Sequence, residues 1–200
     1  MYKDLLKKYP IITDQIEADE LAVILELLEK VIDIDTPGDI VEFGCYAGTT
    51  SLFIQRLLIA KKSTKKLYVY DSFDGLPEKT SQDQSPLGTD FKRGELRATK
   101  NRFIANFRSA NVPLPIITKK WFHEVEDNEL PDKICFAFLD GDYYKSIRSS
   151  LALVLPRIQK GGTIVVDDYD NLKLPGASRA VADSGLHPRT VIHSLAVIDH

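Results

Sequence analysis

The spacing of apolar residues in the first third of the chain predicts a helix, a strand and a second helix. Residues 19–32 place apolar side chains on one broad helical face, with acidic residues early and Lys30 late, as the helix dipole favours. After a Pro-Gly break, the apolar run 39–44 predicts a strand, and residues 49–58 predict a helix that follows a glycine-containing turn. A strand, a turn and a helix in this order are typical of α/β proteins.

The same alternation continues to the end of the sequence. Further strands are predicted at 66–71, 114–118, 134–140, 163–168 and 190–199, and further helices near 94–109, at 144–158 and near 176–183. Strands that alternate with helices predict a doubly wound, mainly parallel sheet. No internal repeat or linker divides the chain, so we expect one domain over residues 1–200.

Composition and charge exclude several classes of protein. With 44% hydrophobic and 28% charged residues among 200, the chain has the make-up of an ordinary globular domain. The net charge of −3 predicts no binding of nucleic acid or of an anionic membrane, and no apolar run reaches the ~18 residues that cross a bilayer. Cys45 and Cys135 have no metal-type spacing and are expected to be buried free thiols. We therefore expect a cytoplasmic protein.

The N-terminal segment 1–36 is expected to be helical and to bury apolar side chains against another surface. Its first part carries more apolar surface than a free tail exposes, through Tyr2, Leu5, Leu6, Tyr9, Ile11 and Ile12. Two interpretations follow: the segment folds over a bound ligand as a lid, or it packs on a second copy of the chain in a homo-oligomer.

Acidic residues occupy most of the predicted strand ends, where doubly wound sheets bind their ligands. Glu42, Asp71, Asp140 and the pair Asp167-Asp168 all lie at such ends. Carboxylates gathered at one edge of a sheet indicate hydrogen bonding to a polar ligand, coordination of a cation, or a solvated rim of loop charge.

The first strand end combines a glycine turn with an acidic residue on the next strand. Gly44 and Gly48 allow backbone N–H groups to approach a ligand at a helix N-terminus, and Asp71 can accept hydrogen bonds from ribose hydroxyls. The turn has the spacing G-x-x-x-G rather than G-x-G-x-x-G, and a purely structural turn stays possible on this signal alone. A nicotinamide dinucleotide and S-adenosylmethionine both satisfy the pair of features.

The adjacent carboxylates of Asp167 and Asp168 raise a separate question. Neighbouring like charges raise each other's pKa unless a cation or several donors compensate them. They therefore indicate either a metal ion or a rim of solvated loop charge.

Four blocks of the sequence together form a more specific pattern. They are GDIVEFGCYAGTTS (38–51), YDSFDGLP (70–77), LDGDYYKSI (139–147) and PRIQKGGTIVVDDY (156–169). In order and spacing they resemble class I S-adenosylmethionine-dependent methyltransferases and, within them, the macrocin O-methyltransferase family. The resemblance implies a Rossmann-like, doubly wound, mostly parallel seven-stranded sheet with helices on both faces. It also implies transfer of a methyl group from S-adenosylmethionine to a hydroxyl of a small molecule, such as a sugar or polyketide-type natural product.

The resemblance further implies roles for individual residues. Glu42 and Gly44 shape the methionine side of the cofactor, Asp71 holds the ribose, and Ser72 and Phe73 flank it. Mg²⁺ or another divalent cation is held by Asp140, Asp167 and Asp168.

Several alternatives stay open from the residues alone. Asp140 is the candidate catalytic base as well as a metal ligand, and Asp142 is the alternative base unless it only bonds backbone groups. Trp121 and Phe122 either stack on an adenine or belong to the core. At the level of function, the rivals are a nucleotide-dependent oxidoreductase and a non-catalytic cofactor-binding protein.

Overall fold

The order of elements in the structure follows the predicted alternation of strands and helices. The computed structural model describes residues 1–88 and 91–200. The helices of this part of the chain are α1 (Tyr2–Lys8), α2 (Ala18–Asp33), α3 (Thr49–Ala60), α4 (Lys100–Ser109), α5 (Tyr144–Val154) and α6 (Gly176–Asp183). Its strands are β1 (Asp39–Phe43), β2 (Leu67–Asp71), β3 (Ile116–Lys119), β4 (Ile134–Leu139), β5 (Ile158–Val166), β6 (Thr190–Ile192) and β7 (Leu195–Asp199).

These strands form one seven-stranded sheet in the order β3-β2-β1-β4-β5-β7-β6. The first five strands are parallel, whereas β7 is antiparallel to both β5 and β6. The chain leaves β1 in one direction to reach β2 and β3 and in the other to reach β4 and β5, so β1 and β4 lie on either side of the point where the strand order reverses. The predicted fold class, a Rossmann-like and mostly parallel seven-stranded sheet, is confirmed.

The element boundaries differ from the predicted ones where a local signal was overridden or missed. The predicted strand 190–199 is two strands, because His193 and Ser194 adopt positive φ angles of 48° and 66° and make a hairpin turn. The predicted helix 144–158 ends at Val154, two residues before Pro156, because proline has no N–H with which to continue the helical hydrogen bonds. The predicted helix 94–109 begins only at Lys100, where the Thr99 hydroxyl accepts a hydrogen bond from the backbone N–H of Arg102.

Two apolar cores cover the two faces of the sheet. One core packs α2, α3 and α4 on the sheet through residues such as Leu25, Phe53 and Phe103, and the other packs α5 and α6 through residues such as Leu151 and Val181. Every residue of β4 is buried, as in a strand that is covered on both faces. Because helices cover both faces of the sheet, the ends of the strands stay accessible to a ligand.

The N-terminal segment lies on the body of the domain. Leu5 of α1 is buried, and the guanidinium of Arg56 on α3 lies 3.9 Å from the ring centroid of Tyr9. The Thr13 and Thr49 hydroxyls are 2.7 Å apart, so residues 10–17 run across the N-terminus of α3.

None of the helices in the described parts of the chain combines the length and the apolar character that a membrane crossing requires. Cys45 and Cys135 are buried free thiols, as predicted.

Candidate active site

A cavity of about 440 Å³ lies at the carboxyl ends of the parallel strands. The ends of β1, β2, β4 and β5 each contribute to its wall, through Gly44, Asp71, Asp140 and Asp167 respectively. This is the edge at which a doubly wound sheet binds its ligands, next to the point where the strand order reverses. The cavity therefore collects in one place the strand ends that the sequence marks with carboxylates.

The turn after β1 requires glycine at two positions. Gly44 has a φ of 89°, and a Cβ added there would lie 1.8 Å from the backbone oxygen of Asp140. Gly48 has a φ of 91° at the start of α3, and its added Cβ would lie 2.8 Å from the ring of Phe103. The turn is thus closely packed against the end of β4, directly before the N-terminus of α3.

Asp71 joins the turn after β1 to the loop after β2. Its Oδ2 accepts hydrogen bonds from the backbone N–H groups of Cys45 and Tyr46, at 2.8 and 3.2 Å. Its Oδ1 accepts one from the N–H of Phe73 at 2.6 Å. A carboxylate has about four lone-pair sites, so acceptor capacity is left for a ligand in the cavity. Asp71 is therefore placed both to organise the backbone and to accept hydrogen bonds from a ribose.

Glu42 lies behind this turn rather than on the cavity wall. Its side chain is 1% exposed, and its Oε2 accepts a hydrogen bond from the Ser51 hydroxyl on α3. Burial raises the pKa of Glu42 to about 8; the Ser51 hydrogen bond opposes this rise, and the charge of Asp71 adds to it. At neutral pH the group is therefore mainly protonated, and it supports the turn from behind.

The buried Glu42 makes the stability of the fold depend on pH. Between its ordinary pKa of 4.5 and about 8, the folded state holds a proton that the unfolded state releases, so the free energy of unfolding falls as pH rises through this window. Glu42→Gln removes this titrating group. We therefore expect the free energy of unfolding of the variant to fall less between pH 5 and 8 than that of the parent. Urea unfolding at a series of pH values measures the difference. The exposed Glu126→Gln control should follow the parent, and a Glu42→Gln curve that also does so would contradict the assignment.

The two residues after Asp71 have different environments. Ser72 lines the cavity, and its Oγ accepts a hydrogen bond from the N–H of Asp74 at 3.1 Å. Phe73 has a φ of 55° and turns its ring into the core, edge-on to Phe103 with 6.0 Å between ring centroids. Of this predicted pair, the structure therefore brings Ser72 to the site and leaves the Phe73 side chain in the core.

The acidic half of the cavity contains a cluster of three carboxylates from two turns. Single oxygens of Asp140, Asp142 and Asp168 lie within 4.8 Å of one another. The predicted metal set was Asp140, Asp167 and Asp168; the structure brings Asp140 and Asp168 together with Asp142, and Asp167 lines the same cavity. Asp167 is 9% exposed, its Oδ1 accepts a hydrogen bond from the N–H of Asp168 at 2.8 Å, and its charge is, after burial and among the neighbouring carboxylates, the largest contribution to the raised pKa of Asp140. The predicted set stays a prediction, with Asp142 as a further candidate ligand.

The cluster has the chemistry of a site for a hard divalent cation. Burial, followed by the neighbouring carboxylates, raises the pKa of Asp140 well above its ordinary value, and burial together with Asp168 and Asp71 raises that of Asp142 to about 8. The pKa of Asp168 is also raised, mainly by burial. Among the ion pairs of residues 1–88 and 91–200, none neutralises these three groups. Three carboxylate oxygens that converge without an ion-pair partner in the described parts of the chain fit Mg²⁺ or Ca²⁺.

Other parts of the wall come from segments away from the ends of β1, β2, β4 and β5. Ile16, with its neighbours Asp14, Gln15 and Glu17, brings the N-terminal segment to the cavity. Trp121, Phe122 and His123 line it from the turn after β3, and Phe91 and Leu96 from the loop before α4. Trp121 and Phe122 thus have a cavity position, although Phe122 also packs edge-on to Phe43 at 5.2 Å. The apolar character of residues 1–18 was the one signal that pointed to the first of these segments.

The fold and the cavity define the class of the protein: a Rossmann-like α/β domain with a glycine turn and an acidic ribose-type residue on adjacent strands. Within this class, the family model described as Macrocin-O-methyltransferase (TylF) matches residues 12–200. The chain belongs to this family, and the predicted resemblance is confirmed.

Similar proteins include two O-methyltransferases of Streptomyces. The 8-demethyl-8-(2,3-dimethoxy-alpha-L-rhamnosyl)-tetracenomycin-C 4'-O-methyltransferase of Streptomyces olivaceus is 29% identical over 149 residues, which are 71% of this chain and 57% of that protein. The demethyldecarbamoylnovobiocin O-methyltransferase of Streptomyces niveus is 26% identical over 152 residues, 73% of this chain and 58% of that protein. The chain thus spans less than three fifths of the length of these relatives.

Solved structures show the same fold. The O-methyltransferase NovP superposes with a TM-score of 0.81 at 23% identity, covering 92% of this chain and 81% of that chain. The calicheamicin methyltransferase CalS11 superposes with a TM-score of 0.76 at 19% identity, covering 99% and 89%.

Proposed function

We propose that the protein transfers a methyl group from S-adenosylmethionine to a hydroxyl of a small molecule, with the help of a divalent cation. The acceptor is a sugar or a polyketide-type natural product. One observation carries the proposal: a single cavity joins a glycine turn and Asp71 on one side to the carboxylates of Asp140, Asp142 and Asp168 on the other. Membership of the macrocin O-methyltransferase family supports the same reaction.

The cofactor half of the cavity lies at the ends of β1 and β2. Here Asp71 would accept hydrogen bonds from the ribose, and Gly44 and Ser72 would line the cofactor, with Glu42 and the Phe73 ring supporting their turns from behind. An oxidoreductase that uses a nicotinamide dinucleotide fits less well, because the turn lacks the G-x-G-x-x-G spacing and the family is one of methyltransferases.

The acidic half would hold the cation and the acceptor hydroxyl. A bound cation lowers the pKa of a hydroxyl that contacts it and orients the oxygen for attack. The oxygens of Asp140 and Asp168 would hold Mg²⁺ together with Asp142 or the predicted ligand Asp167, which lines the same cavity and also accepts a hydrogen bond from the N–H of Asp168. The hydroxyl proton passes to one of the two carboxylates of the turn 140–142, with Asp140 the first candidate and Asp142 the alternative. The walls of the cavity exclude water from the methyl transfer.

The N-terminal residues 10–17 are proposed to close over the cofactor side. Ile16 is buried at the cavity wall, and Thr13 contacts Thr49 at the N-terminus of α3, directly after the glycine turn. We therefore favour the lid interpretation of the segment 1–36 over packing on a second copy of the chain.

Calorimetry with S-adenosylhomocysteine tests the proposed cofactor site. The parent should bind, and Asp71→Asn should bind about tenfold to a hundredfold more weakly, because charge-assisted hydrogen bonds are lost. Asp74→Asn is the matched control, since Asp74 is half exposed and pairs with Arg97 at the surface. Hydrogen exchange in the same samples should slow at residues 10–17 on binding. Equal affinity of Asp71→Asn and parent would refute the ribose assignment, and unchanged exchange at 10–17 would refute the lid.

A further inference from the structure

Asp83 is a buried carboxylate that neither half of the proposed site uses. It lies in the loop between β2 and α4 and is 2% exposed. Its Oδ2 accepts hydrogen bonds from the N–H and the hydroxyl of Thr80, both at 2.7 Å. Its Oδ1 accepts a hydrogen bond from the N–H of Tyr144 at 2.6 Å, across 61 residues of sequence. A buried charge with three donors is costly to form and has a defined geometry.

Asp83 also touches the first residue of α6. A Cβ added to Gly176 would lie 2.1 Å from Asp83 Oδ1 and 2.6 Å from the N of Tyr144. Glycine at position 176 therefore lets three segments meet: the loop of Asp83, the N-terminus of α5 and the N-terminus of α6. The carboxylate is favourably placed, because both helix N-termini carry partial positive charge.

The two helices follow the turns that carry the carboxylate cluster. Asp142, with a φ of 56°, stands two residues before Tyr144. On the other side, Asp168 accepts a hydrogen bond from Asn171 Nδ2 at 2.7 Å, and the Asn171 backbone oxygen accepts one from the N–H of Leu174, directly before α6. A shift at the junction of Asp83 would therefore move Asp142 relative to Asp168.

We infer that Asp83 is a positioning residue for the carboxylate cluster. Asp83 holds the N-terminus of α5 against that of α6 and thereby sets the separation of Asp142 and Asp168. Asp83 also links this separation to its own loop, which lines the cavity through Phe91. The inference rests on the proposed function, because it assumes that the cluster binds a cation.

Metal titration of Asp83→Asn tests the inference. The amide keeps the size of the carboxylate but replaces one acceptor with a donor, so the bonds to Thr80 and Tyr144 cannot both persist. Binding of Mn²⁺, followed by electron paramagnetic resonance, should weaken about tenfold, as for other residues that orient metal ligands. Binding of S-adenosylhomocysteine should stay within twofold, and high Mg²⁺ should restore turnover. Arg179→Ala is the control, because the hydrogen bond of Arg179 to the same loop goes to the Gln82 backbone oxygen and not to a carboxylate.

Each outcome decides a separate question. A parent that binds no Mn²⁺ overturns the metal part of the proposed function, and the inference with it. A parent that binds Mn²⁺ while Asp83→Asn binds it equally overturns the inference alone. Loss of cofactor and metal binding together would indicate a general structural role and would also overturn it. If Asp83→Asn does not fold, Thr80→Val removes one donor to the same carboxylate, and a selective weakening of about threefold in Mn²⁺ affinity is expected.

Discussion

Gly44→Ala is expected to abolish binding of S-adenosylhomocysteine and to destabilise the domain. The added Cβ would lie 1.8 Å from the backbone oxygen of Asp140, and the backbone at position 44 has a φ of 89°. Left-handed backbone and overpacking together cost about 2–5 kcal/mol. Since the clashing atom belongs to the backbone of the neighbouring strand, the turn after β1 must move away from β4. Calorimetry and urea unfolding measure the two effects.

Gly185→Ala is the matched control for this experiment. Gly185 also has a positive φ, 70°, but a Cβ added there meets no atom within 4 Å. Its cost should be about 1–2 kcal/mol, from the backbone conformation alone, and cofactor binding should be unchanged. If the two variants behave alike, the close contact between the turn and β4 does not determine the cofactor site.

Replacing the proposed catalytic base is expected to reduce turnover by a factor of about 10² to 10⁴. Asp140→Asn and Asp142→Asn each remove one candidate base. The turnover of the variant that lacks the true base should not recover at high Mg²⁺, because added cation does not replace a proton acceptor. The other variant loses only a ligand charge and should recover in part. Steady-state assays over a range of Mg²⁺ concentrations, with an accepted hydroxyl substrate, distinguish the two assignments.

Asp168→Asn is the comparison for this pair. It keeps the size and one oxygen of the side chain, so we expect weaker Mg²⁺ affinity and partial recovery of turnover at high Mg²⁺. Chelation should stop methyl transfer while largely sparing cofactor binding, since the proposed cofactor residues lie at the ends of β1 and β2 and the cluster lies at the turns after β4 and β5. Turnover that persists in chelator, with no cation bound at millimolar concentration, would contradict the metal assignment.

Local patterns along the chain were sufficient to predict most of the fold. The periodicity of 19–32 and 49–58 corresponds to α2 and α3, and the apolar run 134–140 corresponds to β4, because burial on one face or two leaves a regular trace in the sequence. One exception depends on backbone angles at two residues. The division of 190–199 into β6 and β7 follows from positive φ angles at His193 and Ser194, which are uncommon for non-glycine residues.

The strand ends that line the cavity were also predictable, whereas the side chains that converge there were not. The sequence places Asp71 and Asp140 at strand ends, and the parallel sheet brings those ends to one edge. Whether Asp142 or Asp167 joins Asp140 and Asp168 depends on the direction of each side chain after its turn, and whether Phe73 faces the cofactor depends on its φ of 55°.

The sequence by itself determined the class of fold, the strand ends that carry carboxylates and the family to which the chain is similar, because these depend on order and local pattern. Only the tertiary structure decided which carboxylate oxygens converge, that Ile16 reaches the cavity and that Asp83 joins the loop after β2 to the N-terminus of α5. Such contacts join residues far apart in the chain, and their geometry is set by how closely packed helices and turns fit together, which no local pattern records.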